Sequence, residues 1–191
     1  MDKMPVSVNI LKSELSKIKD NSLVIGFFKD GLNLDGELKK FDNELGNIIS
    51  SYIKNNDFKA DKGEVKSIFI NKNIKNIILA GLGEENKYSL DVLSATIADV
   101  SKRLRDVGAE RFSIFLDSFK NNFNDEAAVE KLILSSLISL YKFTEFKTKD
   151  KDKLKYIRQI TILTNSNSSF EKEIKYASVV ADAVKKNKRA C

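Results

Sequence analysis

The residues whose types and spacing could do chemistry centre on Gly81 and Gly83, which close the apolar run Asn76-Ile-Ile-Leu-Ala-Gly-Leu-Gly83. Glycines that follow a strand can cradle a phosphate, because backbone N–H groups then approach an anion that a side chain would hold off. A dinucleotide fingerprint needs a third glycine three residues on, where this chain has Asn86. Glu84 and Glu85 occupy the place where the anion would sit, and they would repel it. A structural turn is the better reading.

Three neighbouring carboxylate pairs could in principle share acid–base work: Glu84 with Glu85, Asp125 with Glu126, and Asp150 with Asp152. Catalytic pairs need burial or close packing to drive their pKa values apart. These lie in polar loops or at helix starts, where acids already favour the helix dipole, so they read as solvated charges. Histidine is absent and the one cysteine is Cys191, the last residue. No Ser-His-Asp or Cys-His arrangement can therefore be built within this chain, and the commonest metal ligand is missing. With one cysteine no intrachain disulfide forms.

Charge is distributed unevenly. Residues 142–191 carry 13 Lys+Arg against 6 Asp+Glu, whereas the first 141 carry 20 against 21. Such a basic quarter attracts phosphates or an acidic surface, although a lysine-rich solvated face is the plainer account. Within it, Tyr141-Lys-Phe-Thr-Glu-Phe-Lys147 interleaves aromatics with lysines, with Tyr156, Phe170 and Tyr176 further on, and could stack single-stranded bases. The simpler reading has Tyr141 and Phe143 finishing a helix core.

The elements that would position these residues alternate along the chain. Pro5 to Ile10 turns Val6, Val8 and Ile10 to one side as a half-buried strand. Ser13 to Asp20 is a helical turn or loop, and Ser22 to Phe28 is a second strand ended by Lys29-Asp-Gly31. Leu38, Phe41, Leu45, Ile48 and Tyr52 follow at helical spacing, with Gly46 placed to split the helix. Glu64 to Ile70 and Asn76 to Leu82 are close enough to form an antiparallel pair. The second of these is apolar on both faces and is expected to be the central strand.

Ser89 is a good N-cap for a helix whose stripe is Leu93, Ile97, Val100, Leu104 and Val107, stopped by Gly108. The strand Arg111 to Leu116 follows, so strand–helix–strand predicts a right-handed parallel crossover. Asp125 to Tyr141 reads as a helix burying Val129, Leu132, Leu137 and Leu140. Residues 144–153 read as an exposed charged loop, and Tyr156 to Leu163 as the last strand. Ser168-Ser-Phe-Glu171 has capping-box spacing, before a final helix burying Phe170, Ile174, Ala177, Ala181 and Val184. That helix meets no glycine or proline stop, which suggests a fragment of a longer protein.

The sum is one α/β domain over residues 1–191, since this length supports one sizeable core. No apolar run approaches the roughly 20 residues that span a bilayer. The N-terminus lacks the apolar core of a signal peptide, so the expected compartment is cytoplasmic.

At Ile78-Leu-Ala-Gly-Leu-Gly83 the chain resembles the N-terminal domain of the leucyl aminopeptidase (cytosol aminopeptidase) family, in which an apolar strand ends in Gly-Leu-Gly before an acidic turn and a long helix. Other segments agree in order: Ser22 to Gly31, Asp57 to Glu64, Tyr141 to Lys147, and Ala177 to Ala190. The resemblance implies a three-layer α-β-α domain with a mixed sheet, similar to a macro domain. It implies that catalysis belongs to a C-terminal domain absent from this chain. There two divalent metals, zinc or manganese, are held by Asp, Glu and Lys, and the parent assembles as a hexamer with this domain at its periphery. No residue here matches a metal-ligand, cofactor-binding or catalytic motif, so none is assigned. Two other readings stay open: a macro-like module for a nucleotide or ADP-ribose, and nucleic-acid binding through the basic quarter.

Overall fold

A computed structural model describes residues 6–12, 15–32, 34–55, 58–70, 74–141 and 155–190. Six strands form one mixed sheet: β1 (Ser7–Leu11), β2 (Ser22–Phe28), β3 (Val65–Phe69), β4 (Asn76–Gly83), β5 (Arg111–Phe115) and β6 (Gln159–Leu163). Their spatial order is β1-β6-β5-β2-β4-β3. Only β3 runs antiparallel to its neighbour. This is a three-layer α-β-α architecture with a mixed sheet, as the family resemblance implies; the alternation of apolar runs and helical stripes points only as far as an α/β sheet.

Side chains alternate across the sheet and so divide the core in two. Val24, Ile78, Leu82, Phe112, Ile114 and Ile162 point to one face, beneath α3 (Leu90–Asp106), α4 (Asp125–Ser139) and α5 (Glu171–Ala190). Leu23, Ile25, Phe27, Ile77 and Leu79 point to the other. They are covered there by α1 (Gly36–Glu44), α2 (Ile48–Lys54), Leu15, Ile18 and Phe58. Helices on both sides leave the parallel strands no polar face, which is why β4 is buried from Ile77 to Gly83.

β4 is nevertheless not the central strand. β5 and β2 hold the middle of the sheet, and β4 lies second from one edge with only β3 outside it. Burial on both faces reports helical cover above and below, and it does not report distance from the edge. β4 and β5 run parallel as predicted, with β2 between them.

Gly46 does split the early helix. Gly46 and Asn47 take φ of 82° and 60°, which turns the chain between α1 and α2. The cap of α2 comes from Asp42 in the helix before it: its carboxylate accepts from the N–H of Ile49 at 2.7 Å and of Ser50 at 3.2 Å. Asp42 is only 2% exposed, so water cannot replace it. Asp42→Ala strands one buried and one half-buried donor and is expected to cost about 2 kcal/mol, read from the urea midpoint by circular dichroism. A loss below about 0.5 kcal/mol would show that the cap is dispensable.

Ser89 caps α3 as expected, its Oγ accepting from the N–H of Val92 at 3.3 Å. Leu93, Ile97, Val100 and Leu104 are buried, but Val107 is 72% exposed. It sits at the C-cap, where the chain leaves the helix for Gly108 at φ 90° and the stripe loses its direction. α4 lies between α3 and α5 and buries Ile133, Ser135 and Ser136 as well as the expected Val129, Leu132 and Leu137; Leu140 is only half-buried. The serines let the helices approach, and Ser94 and Ser135 share a 2.6 Å hydroxyl contact.

The capping box at Ser168 does not form. α5 starts at Glu171, Phe170 holds a left-handed φ of 51° just before it, and Ser168 bonds to Ser166. The buried Phe170 ring fixes this entry in place of a hydroxyl. The charged stretch 144–153 lies outside the described residues.

Candidate ligand-binding rim of the sheet

The parallel strands end together at Phe28, Gly83, Phe115 and Leu163. In open α/β sheets the crevice beyond these ends, where the strand order reverses, is where ligands bind. Here it falls beside β2, because the chain passes from β2 out to β3 at the edge, comes in to β4, and then crosses β2 to β5. Gly81, Gly83 and the acidic turn all lie on this rim, so it is the site to test.

The glycines do not offer a free cradle. Gly81 donates its N–H to the Glu64 carbonyl at 2.7 Å, and Gly83 donates to the Ala60 carbonyl at 3.0 Å. The Gly81 carbonyl accepts from Gly63, and that of Gly83 accepts from Lys29. Gly81 is required by proximity: a Cβ there would stand 2.2 Å from the Asp61 carbonyl oxygen and 2.7 Å from the Ala60 carbonyl carbon. The Gly-Leu-Gly element is a strand end against which the 60–64 segment lies in direct contact.

The crevice itself is filled. After β5 the chain makes a tight helical turn, Leu116–Phe119, whose Leu116 and Phe119 are fully buried. Ser118 Oγ accepts from the Gly26 N–H at 2.9 Å and donates to the Phe115 carbonyl at 2.7 Å, pinning the turn to the middle of β2. A Cβ at Gly26 would meet the Ser118 carbonyl oxygen at 2.9 Å and both Leu82 and Phe119 at 3.0 Å. Tyr88 closes the outside, donating its hydroxyl to the Phe119 carbonyl at 3.1 Å while its ring packs against Phe28 and Phe123. Burial pushes the Tyr88 phenol far above its ordinary value, so it remains a neutral donor.

Charges around the rim tie one loop to another. Lys29 meets Asp61 at 2.6 Å, which raises the lysine and lowers the carboxyl through their hydrogen bond and then their charges. Glu84 is held low by its hydrogen bond to Lys87, at 2.7 Å. The Glu85 N–H donates to Asp30 at 3.4 Å. Lys120 stands between Asp117 at 2.7 Å and Asp125 at 2.9 Å. Burial works to lower its pKa, but the two carboxylates outweigh it and the net direction is upward. Asp117 also accepts from Thr164 Oγ1 and the Asn165 N–H, which joins the ends of β5 and β6.

The sequence-level candidates thus separate. Glu84 and Asp125 are ion-paired and Glu126 is exposed. Asp150, Asp152, Phe143 and Phe146 lie outside the described residues. Phe170 is buried, and Tyr156, in the segment before β6, and Tyr176, on α5, are exposed. Among the described residues no group of three or more His, Cys, Asp or Glu could hold a metal ion. A cleft of about 120 Å³ lies on the opposite face, lined by Ile18, Phe41, Leu45 and Ile74 among others. Ligand sites of about 300–1,000 Å³ are usual. The residues that decide the rim, Asp117, Ser118 and Phe119, carry no recognisable spacing; Phe115-Leu-Asp-Ser-Phe119 reads as the tail of a strand.

What this geometry defines is an α/β scaffold with the macro-domain layering and, among the described residues, a rim packed by Leu116, Phe119 and Tyr88. Residues 24–150 match the profile of the cytosol aminopeptidase family, N-terminal domain, and the chain belongs to that family. It is 24% identical over 171 residues to a probable cytosol aminopeptidase of Alkaliphilus oremlandii, covering 88% of this chain and 34% of that protein. A probable cytosol aminopeptidase of a Sulfurihydrogenibium species is 26% identical over 183 residues, covering 93% and 36%. The chain spans about a third of the length of these curated relatives. A tomato leucine aminopeptidase variant superposes with a TM-score of 0.78 at 18% identity, over 96% of this chain and 38% of that one. The macrodomain of Thermus aquaticus DarG gives 0.59 at 8% identity, over 82% and 97%. These two likenesses establish the fold.

Proposed function

We propose that this chain is the non-catalytic N-terminal domain of a leucyl aminopeptidase, whose full-length form releases N-terminal amino acids from peptides. Catalysis in this reading belongs to a C-terminal domain that holds two divalent metals, zinc or manganese. The partners are that catalytic domain and further copies of the protein, assembled as a hexamer, in the cytoplasm. The family match over residues 24–150 carries the reading, and the packed rim is in keeping with it, Leu116 and Phe119 being fully buried there and Ser118 bonded to Gly26 of β2. The described residues offer no donor set that fits either metal, so no catalytic step is assigned to them. Purified chain given a leucine anilide and manganese should show no turnover above buffer. Turnover that co-purifies with the chain through several columns would overturn the assignment.

The macro-like layering favours a second reading, binding of a nucleotide or ADP-ribose. It requires the crevice that Ser118 and Phe119 close and the N–H groups that Gly81 and Gly83 spend on Glu64 and Ala60. Calorimetry with ADP-ribose at millimolar concentration is expected to give no heat, and a saturable signal would reinstate that reading.

A further inference from the structure

β3 is an edge strand, and among the described residues no strand pairs with its outer side. Its register against β4 fixes which backbone groups face outward. The Glu64 carbonyl accepts from Gly81, and the Ile70 N–H donates to Lys75, so the even-numbered residues bond inward. Val65, Ser67 and Phe69 therefore direct both their N–H and C=O groups to the open edge. The same residues share one face of the sheet, which at this edge extends beyond the helices. Phe69 is 78% exposed there, and Ser67 is exposed too. An exposed edge with a large apolar side chain is a template for another strand, and natural sheets usually blunt it. Lys66 does little to blunt it, since its ammonium leans toward Glu64 at 3.9 Å on the opposite face.

We propose that β3 is a self-association strand, pairing antiparallel with β3 of a second copy about a twofold axis at Ser67. This register sets Val65 opposite Phe69 of the other copy, Ser67 opposite Ser67, and Phe69 opposite Val65. Every outward donor and acceptor of the strand then finds a partner, and each exposed phenylalanine lies over a half-buried valine. Shifting the axis to position 66 or 68 leaves Phe69 or Val65 without an opposite number from the same strand. A second copy fits because the strand is complementary to itself under this operation, as an isologous contact requires. The other sheet edge, β1, sets Ser7 and Asn9 beside its exposed Leu11 and offers less apolar surface. Self-pairing through β3 rests on the register and exposure of this strand and stands independently of the peptidase reading.

A five-residue strand buries less than a standard interface, so the pairing is weak, with Kd on the order of 100 µM. Sedimentation equilibrium from about 10 µM to 1 mM should show the mass rising toward twice that of the monomer. Amide exchange by NMR over the same range should slow at Val65, Ser67 and Phe69, while Lys66 and Ile68 are protected throughout. Ser67→Pro removes an outward N–H, a change edge strands tolerate, and Phe69→Lys removes the apolar contact. Each should weaken dimerisation at least tenfold and leave the melting temperature within a few degrees. A monomer at every concentration would sink the proposal. So would a dimer indifferent to both substitutions, or one that protects other amides.

Discussion

Gly81→Ala is expected to cost about 3 kcal/mol or more, enough to remove most of the margin of an average domain. The added methyl would lie 2.2 Å from the Asp61 carbonyl oxygen and 3.0 Å from the Ala60 Cα, so it meets backbone, which has no alternative rotamer. Nor can the 60–64 segment retreat. It is fastened by the bonds Gly81 to Glu64, Gly63 to Gly81 and Gly83 to Ala60, with Lys29 holding Asp61 from outside. Ala60 already holds a left-handed φ of 54° in a fully buried position, so the segment has little further distortion to give. Gly31 supplies the control: a Cβ there meets nothing within 4 Å and φ is ordinary, so Gly31→Ala should change stability by less than about 0.5 kcal/mol. Urea titrations followed by circular dichroism decide the matter. Should Gly81→Ala fall within about 1 kcal/mol of the parent, the close crossing would not be what demands glycine.

The sheet is legible in the sequence because burial leaves a mark on composition. Apolar runs in β2 and β4 and the spacing of Leu93, Ile97, Val100 and Leu104 name the strands and the helix, since a side chain facing a dry layer must be apolar. The split at Gly46 is readable for the same kind of reason: a residue with unusual φ has few substitutes. Strand order is not legible, because β4 looks alike whether β5 or solvent lies two places away. Pairings such as Leu23 with Ser113 join residues far apart in sequence, and no local pattern encodes them. The capping box fails on a similar point. Ser168 and Glu171 have the right spacing, but the buried Phe170 decides where α5 begins.

At the rim, the residues alone favour a structural turn over a phosphate loop at Gly-Leu-Gly, whereas the structure makes this segment the end of β4. Charge repulsion from Glu84 and Glu85 argues against an anion, and Glu84 does lie at the rim, paired with Lys87. The stronger obstacle is that the glycine N–H groups are spent on Glu64 and Ala60. That fact belongs to the path of a segment some twenty residues earlier, and no local spacing carries it. Asp42, Asp117 and Ser118 are silent in the sequence for a like reason. A single polar residue between apolar ones reads as surface until its partners are placed.

Phe119→Ala is the change that should most loosen the rim, at about 3–5 kcal/mol. The ring is fully buried in the core beneath α3, α4 and α5, and it lies 3.0 Å from where a Cβ on Gly26 would stand. Neighbouring groups cannot fill the void. Leu116 is itself fully buried in the same core, and Ser118 is bonded to the N–H of Gly26 and the carbonyl of Phe115. Ser118→Ala is expected to cost less, about 1–3 kcal/mol, because it leaves the Gly26 N–H and the Phe115 carbonyl without this partner but removes only a hydroxyl oxygen. The two residues brace the same turn, so the double variant should lose less than the sum of the singles. Exchange of the Gly26 amide separates the two effects: it should accelerate strongly in Ser118→Ala and more weakly in Phe119→Ala. If Phe119→Ala cost under about 1 kcal/mol, the crevice would collapse easily around a smaller side chain. The ring would then be filler, and the rim would owe its closure to something other than a fixed plug.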